Sequence, residues 1–225
     1  MPLVPPRDRI IGRRAALKLT AAGAAGTLLT PPRLFAATPE RPLEYLVFVD
    51  GKRSGTYTVE FVPRAGGFTA TSAMSIRVDV AFITAYRYQQ DGQEDWHDGK
   101  LVAFEYVTND DGKAALVNAK READKFVVKG PKSPGSAPGD AMSSGFWNHG
   151  ILAAHQLVDP QTAELVPLTV RDFGHRSATV AGTHVHGTEY AVETFLKGTV
   201  WYDAHRHLLA SSFTQDGHKV EFRRA

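Results

Sequence analysis

Alternation at a period of two runs from Leu43 to Arg223, rich in Val, Thr, Tyr and Phe and cut at short intervals by Gly and Asp-Gly. A period of two sends successive side chains to opposite faces, which confines such a chain to strands joined by hairpins. The pattern predicts strands over Leu43 to Val49, Tyr57 to Val62, Phe68 to Val80, Phe82 to Gln89, Leu101 to Thr108, Ala114 to Ala123 and Phe126 to Lys129. Asp50-Gly51 is a strong hairpin turn because both residues tolerate positive φ. Further turns are expected at Gly92 to Asp95, Asp98-Gly99 and Asp110 to Gly112, all local meander connections.

The rhythm breaks between Pro131 and Ser144, where Pro131, Pro134 and Pro138 stand with Gly135 and Gly139 among small polar residues. Such a segment neither holds a strand nor continues a helix and reads as a surface loop or lid. Behind it Phe146, Trp147, Ile151, Leu152, His155 and Leu157 recur at roughly helical spacing, with Asp159-Pro160 ending the run. Strands resume at Leu165 to Val170, Ala178 to Ala181, His184 to Phe195, Thr199 to Tyr202, Leu208 to Thr214 and Val220 to Arg223. The expected fold is mainly β: a curved antiparallel meander or half barrel of about eleven to thirteen strands, wrapped around one amphipathic helix that covers its apolar face.

Residues 1–37 read as a twin-arginine export leader: Arg13-Arg14 precede a weakly apolar stretch from Leu19 to Leu29. That stretch would rise about 17 Å as a helix, against the roughly 30 Å hydrocarbon core of a bilayer, so it does not span. The expectation is a single β-rich domain over residues 38–225, periplasmic or secreted, with the twin-arginine export machinery as a partner. The leader holds six basic residues and only Asp8, leaving 20 Lys and Arg against 23 Asp and Glu in the rest of the chain. A basic footprint for nucleic acid is therefore absent. The chain has no cysteine, which excludes disulfides, thiol nucleophiles and thiolate metal sites, so an exported domain must rest on its core.

Two stretches resemble each other: Trp96-His97-Asp98-Gly99 leading to Asp111-Gly112, and Trp201-Tyr202-Asp203 leading to Asp216-Gly217. Each reads as strand, Asp-containing turn, strand and Asp-Gly turn, through duplication or through the common grammar of meanders. Tyr86, Arg87, Tyr88, Trp96, Trp147, Asn148, Trp201, Tyr202 and Asp203 form the candidate ligand-binding set. In it aromatic walls surround a pocket, Trp147 and Asn148 close it, and Arg87 or Asp203 supplies a polar handle. The alternative is that the aromatics simply fill the core of a sheet covered by a helix.

Nine histidines include two His-x-His pairs. On a strand, residues two apart share a face about 6.5 Å apart, so His184 with His186, and His205 with His207, present ligand pairs suited to zinc, iron or copper. The pairs converge beside Asp203 if His184 to Val192 folds back on Phe195 to Asp203. The alternative places them at exposed strand ends. Glu94, Asp95 and Asp98, and Asp110 with Asp111, fall in expected turns, where Asp serves local backbone hydrogen bonding and carboxyl pKa values stay unraised. No H-E-x-x-H or G-x-S-x-G occurs, and Gly99-Lys100 is followed by Leu101 rather than Ser or Thr, so it is not a phosphate loop.

Glu44 to Phe61 with Val49-Asp50-Gly51-Lys52, Ile83-Thr84-Ala85-Tyr86-Arg87-Tyr88, the turn from Trp96 to Leu101, Ser144 to Asn148, and Trp201-Tyr202-Asp203 resemble the motifs of an exported bacterial family, domain of unknown function 6134. The resemblance covers essentially the whole chain after the leader and implies a β-rich periplasmic or secreted domain. A remoter, fold-level likeness is to lipoprotein-carrier half barrels, which hold a greasy cavity under a helix. Thr183-His184-Val185-His186 departs from the family pattern, which has no paired histidine there. The functional expectation is an exported, non-catalytic binding or structural domain, without cofactor, holding a hydrophobic or lipid-like ligand between sheet and helix. The alternative is a histidine-metal dependent periplasmic enzyme, against which the missing catalytic signatures weigh.

Overall fold

A computed structural model describes residues 41–80 and 83–225. The expected leader and the boundary at residue 38 lie outside the described residues. Thirteen strands form one antiparallel sheet in the order β11-β12-β13-β14-β15-β1-β2-β3-β4-β5-β6-β7-β8. The chain begins mid-sheet with β1 (Leu43–Val49) and steps outward through β2 (Lys52–Arg64), β3 (Gly67–Val80), β4 (Ile83–His97), β5 (Lys100–Asp110), β6 (Lys113–Glu122) and β7 (Lys125–Lys129) to the edge strand β8 (Ser136–Pro138). A crossing segment carries the small pair β9 (Gln156–Val158) and β10 (Leu165–Pro167) and delivers the chain to the opposite edge. From there β11 (Thr169–Val180), β12 (Thr183–Glu193), β13 (Lys197–Tyr202), β14 (Leu208–Gln215) and β15 (His218–Arg224) step back inward until β15 pairs with β1. The sheet is not closed, since β8 and β11 are its two edges. Mainly antiparallel β architecture is as the alternation predicts.

The turns follow their sequences: Asp50-Gly51, Asp98-Gly99, Asp111-Gly112 and Asp216-Gly217 all take positive φ at both positions, as two-residue hairpin loops require. Gly92 to Asp95 is a correction. No turn forms there, and β4 runs straight through it. Gly92 stands in the strand because the Tyr106 ring of β5 lies over it: a Cβ at Gly92 would clash with Tyr106 Cε1.

The amphipathic helix is the second correction. Among the described residues the crossing segment holds only a five-residue 3₁₀ turn, His149–Ala153. Asn148 Oδ1 caps it by accepting from Gly150 N at 2.8 Å, and Ala154 ends it in an extended conformation. The backbone finds its partners by pairing with itself: Met142 N donates to Gln156 O, Val158 N to Met142 O and Leu168 N to His155 O. The apolar residues spaced as if on a helix face are instead surrounded. Phe146, Trp147, Ile151 and Leu157 belong to one core cluster with β1–β7 residues such as Tyr45, Val59, Phe68, Trp96, Phe104 and Val117, and with β12–β14 residues such as Val192, Tyr202 and Phe213. The segment therefore acts as a plug against one face of the sheet. The expected loop from Pro131 to Ser144 is corrected as well: Ser136–Pro138 within it pairs with β7 as edge strand β8, and Ala141, Met142 and Ser143 are buried as part of the plug.

A second cluster, Val180, Val185, Trp201 and Ala210, is separate from the first. Trp201 and Tyr202 are consecutive in β13 and point to opposite faces, so this cluster lies on the side away from the plug. The tip of the β11–β12 hairpin covers it, with Ala181 N donating to Glu221 Oε1 at 3.2 Å and Arg223 Nη1 donating to Thr183 Oγ1.

Candidate functional site

Along β4 one face carries Tyr86, Tyr88, Gln90, Gly92, Glu94 and Trp96, and its last four residues are buried. Glu94 is the outlier, a carboxyl with 3% of its surface exposed in the middle of the main core. Three donors converge on it. Tyr106 Oη from β5 lies 2.6 Å from Oε1, Ser143 Oγ from the plug 2.5 Å from the same oxygen, and Trp96 Nε1 donates to Oε2 at 3.0 Å. Burial pushes the Glu94 carboxyl above its ordinary range, opposed by the hydrogen bonds from Ser143, Tyr106 and Trp96. Burial likewise drives the phenols of Tyr57 and Tyr106 well above their usual value, with the nearby Glu94 charge adding to it. Gly145 leaves the room this arrangement needs, for a Cβ there would meet Trp147 Nε1 at 2.7 Å and Glu94 Oε1 at 2.8 Å. Chemically the group is a buried acid that ties plug to sheet, and sequence reasoning missed it by placing Glu94 in a turn.

The expected aromatic wall is divided among several places. Trp96 stacks on Phe68 with centroids 5.9 Å apart, and Trp147 meets Trp96 and Phe61 edge-on at 5.9 and 5.1 Å. Both indoles are core filling, 3% and 4% exposed. Tyr86 and Tyr88 are half-buried further along the same face, where Gln90 Nε2 donates to Tyr88 Oη at 2.8 Å. Burial raises the Tyr88 phenol to about 12. Arg87 is exposed on the opposite face, level with Arg77, and Asn148 is spent on its cap. Tyr202 is buried and donates to Phe146 O at 2.7 Å, tying the plug to the other half of the sheet. Trp201 sits in the second cluster, away from Trp96 and Trp147. Asp203 accepts from His205 N and His207 N at 2.8 Å each and from the His207 ring at 3.2 Å, so it organises its own turn rather than a pocket.

The histidines do not converge as the folded-back arrangement predicts. His184 and His186 share a face of β12, but the residues opposite them are Thr179 and Ser177 of β11. His205 and His207 lie in the β13–β14 connection, rings 6.1 Å apart. Among the described residues no group of three or more His, Cys, Asp or Glu is placed to hold a metal ion. His186 meets His175 instead, with Nε2 atoms 2.8 Å apart. His149 packs edge-on against Tyr202 and Tyr190, and burial lowers its pKa, helped by Arg206.

Neither of two clefts on the surface of the described residues is lined by the aromatic set. The larger, about 1040 Å³, lies between the β5–β8 end of the sheet and the plug. Its walls include buried Leu101, Ala137, Met142 and Ala154, and its rim carries Lys100, Arg121 and Lys125 with Asp124 and Asp140. Arg121 is fixed by donating Nε to Leu101 O at 2.9 Å and by lying 4.5 Å over the Phe126 ring. The smaller cleft, about 420 Å³, is lined mainly by polar residues of β2–β5.

No match to a curated protein was found. Among solved structures the fold is similar to a beta-barrel-like protein of domain of unknown function DUF1849 from Brucella abortus, with a TM-score of 0.56 and 15% sequence identity, over 82% of this chain and 95% of that one. The likeness is one of fold. Residues 45–225 match the family described as Domain of unknown function (DUF6134), and the chain belongs to that family.

Proposed function

We propose that this protein is an exported, non-catalytic binding domain whose ligand is lipid-like and sits at the β5–β8 end of the sheet rather than deep under the plug. The observation that carries the reading is the cleft of about 1040 Å³, where an apolar floor of Leu101, Ala137, Met142 and Ala154 meets Lys100, Arg121 and Lys125. An acyl chain gains by covering exposed Ala123, Pro138 and Ala153 beside that floor, and a polar or anionic head gains by meeting the cations. The packed aromatic core argues against a ligand between Trp96 and Trp147, whose rings already fill that space. Export through the twin-arginine route to the periplasm rests on Arg13-Arg14 and the short apolar stretch that follows.

The test uses the full chain expressed in a bacterium and recovered by periplasmic fractionation. Organic extraction and mass spectrometry read any lipid that accompanies it, and a fluorescent fatty acid reads affinity after stripping. Ala153 is exposed in the cleft, so Ala153→Trp fills it without entering the core. The expected result is co-purified lipid and binding weakened about tenfold or more by Ala153→Trp. Protein free of lipid, or binding indifferent to this substitution, defeats the ligand reading; protein retained in the cytoplasm defeats the export reading.

A further inference from the structure

We propose that His175 and His186 form a two-imidazole chelate for one tetragonal divalent transition-metal ion, copper(II) above all, on the β11–β12 hairpin. The two residues are not opposite each other in register: His175 faces Thr188, and His186 faces Ser177. They meet diagonally across the hairpin, just beyond the register shift between Asp172 and Gly174. That shift brings His175 onto the face that carries His186.

The distances favour a shared metal. An imidazole nitrogen binds such an ion at about 2.0 Å, so two of them at right angles lie about 2.8 Å apart with ring centres about 4.5 Å apart. The Nε2 atoms are 2.8 Å apart, and the ring centres 4.2 Å apart with the planes at 86°. A head-to-head hydrogen bond of the same length would hold the ring centres about 5.1 Å apart, farther than observed. A tetrahedral ion spreads its ligands to about 3.3 Å, which needs the pair to open; a tetragonal ion takes them as they stand. The observed spacing suits a tetragonal ion without rearrangement, and copper(II) binds nitrogen ligands more tightly than nickel(II) or zinc does.

A hydroxyl that orients one ring is in place as well. Ser177 Oγ lies 2.8 Å from His186 Nδ1, so a proton on Nδ1 donated to that hydroxyl leaves the Nε2 lone pair free for the ion. Neutral His175 with its proton on Nδ1 likewise offers its Nε2 lone pair, so two neutral rings bind the ion without net proton release. Both imidazoles are exposed, and water completes the coordination. His184, two residues along the same strand, is engaged by Thr179 Oγ1 at 3.5 Å and is not part of the chelate.

The experiment is titration of the untagged full chain with copper(II) chloride, read by calorimetry and by electron paramagnetic resonance, whose nitrogen hyperfine structure counts bound imidazoles. One equivalent with a two-nitrogen signal is expected, with nickel(II) next in affinity and zinc weaker. His175→Ala and His186→Ala should each weaken binding about a hundredfold, and Ser177→Ala about tenfold through the lost orientation of His186. Far-UV circular dichroism verifies that these exposed substitutions leave the sheet intact. His184→Ala and His207→Ala should leave affinity unchanged. A one-nitrogen signal, zinc preferred to copper(II), or an equal loss from His184→Ala would overturn the assignment. This chelate stands apart from the cleft, so lipid binding and copper binding succeed or fail independently.

Discussion

Trp96 and Trp201 look interchangeable in sequence, each one residue short of the end of a strand and a step before an Asp-containing turn, yet they end on opposite sides of the sheet. The difference shows in what each ladder pairs beside its slip. In β4–β5 the register shifts between Asp95 and Trp96, so Trp96 faces Leu101; in β13–β14 it shifts between Trp201 and Tyr202, so Tyr202 faces Leu208. The structural counterpart of Trp96 is therefore Tyr202, not Trp201. Both counterparts, with both leucines, lie in the main core, and both help hold the plug. A displacement of one residue moves a side chain to the other face of a sheet, and here the core-facing parity of β13 puts Tyr202 against the plug and leaves Trp201 to start a second cluster.

The comparison breaks if the two tryptophans prove energetically alike. Trp96→Ala should cost about 5 kcal/mol, since it empties a large volume of the main core and removes a donor from buried Glu94. Trp201→Ala should cost nearer 3 kcal/mol, because the second cluster is small. Urea unfolding of both variants checks the order, and a larger loss at Trp201 would reverse the assignment of primary and secondary core.

That slip of register is also where sequence reading stops. Strand positions were legible because period-two alternation is a local property, and Asp-Gly marks a two-residue hairpin by its own backbone preference: β1 and the Asp50, Asp98 and Asp111 turns stand where the pattern puts them. Which face of a strand meets the plug, and where a bulge falls, depend on partner strands, so neither the opposed faces of Trp96 and Trp201 nor the meeting of His175 with His186 could be read. Gly92 misled for a related reason. Its lack of a side chain answers to the Tyr106 ring on the next strand, not to a turn, and reading a turn there hid Glu94 inside it. The plug misled because a segment enclosed by a sheet is apolar all round, and apolar residues on every side include some at helical spacing.

Glu94 sharpens the contrast between the halves, because the corresponding position of β13 is Val200, which is buried and apolar. Burial raises the carboxyl's pKa in the folded protein, so the fold holds this proton more tightly than the unfolded chain does. The stability this contributes is complete below the unfolded value of about 4.3 and declines as pH rises through the folded value, at no more than about 1.4 kcal/mol per pH unit. Glu94→Gln removes that slope and leaves Trp96 N–H facing an amide. Thermal unfolding between pH 4 and pH 8 should show the slope in the original protein and its absence in the variant. A slope unchanged by Glu94→Gln would mean that another group carries it.

The smallest expected effect separates the two turns that follow the matched strands. Asp98 takes positive φ in a two-residue turn, and its carboxylate meets only the exposed His97 ring at 3.2 Å, so Asp98→Gly should change stability by less than about 0.5 kcal/mol, because an exposed pair contributes little and glycine takes that backbone more readily. Asp203 works through its carboxylate, which accepts two backbone N–H groups and the His207 ring across a longer connection. Partial burial pushes its pKa up, but the bonds and the charge of His207 prevail and hold it below the ordinary value. Its contribution is thus present above the unfolded value of about 3.9 and is lost as pH falls through the lower, folded one. Asp203→Ala should cost about 1 kcal/mol at neutral pH and much less in strong acid, where the original carboxyl is protonated too. Denaturant midpoints of the two variants, measured at both pH values, decide it: equal losses at neutral pH would make the turns equivalent after all.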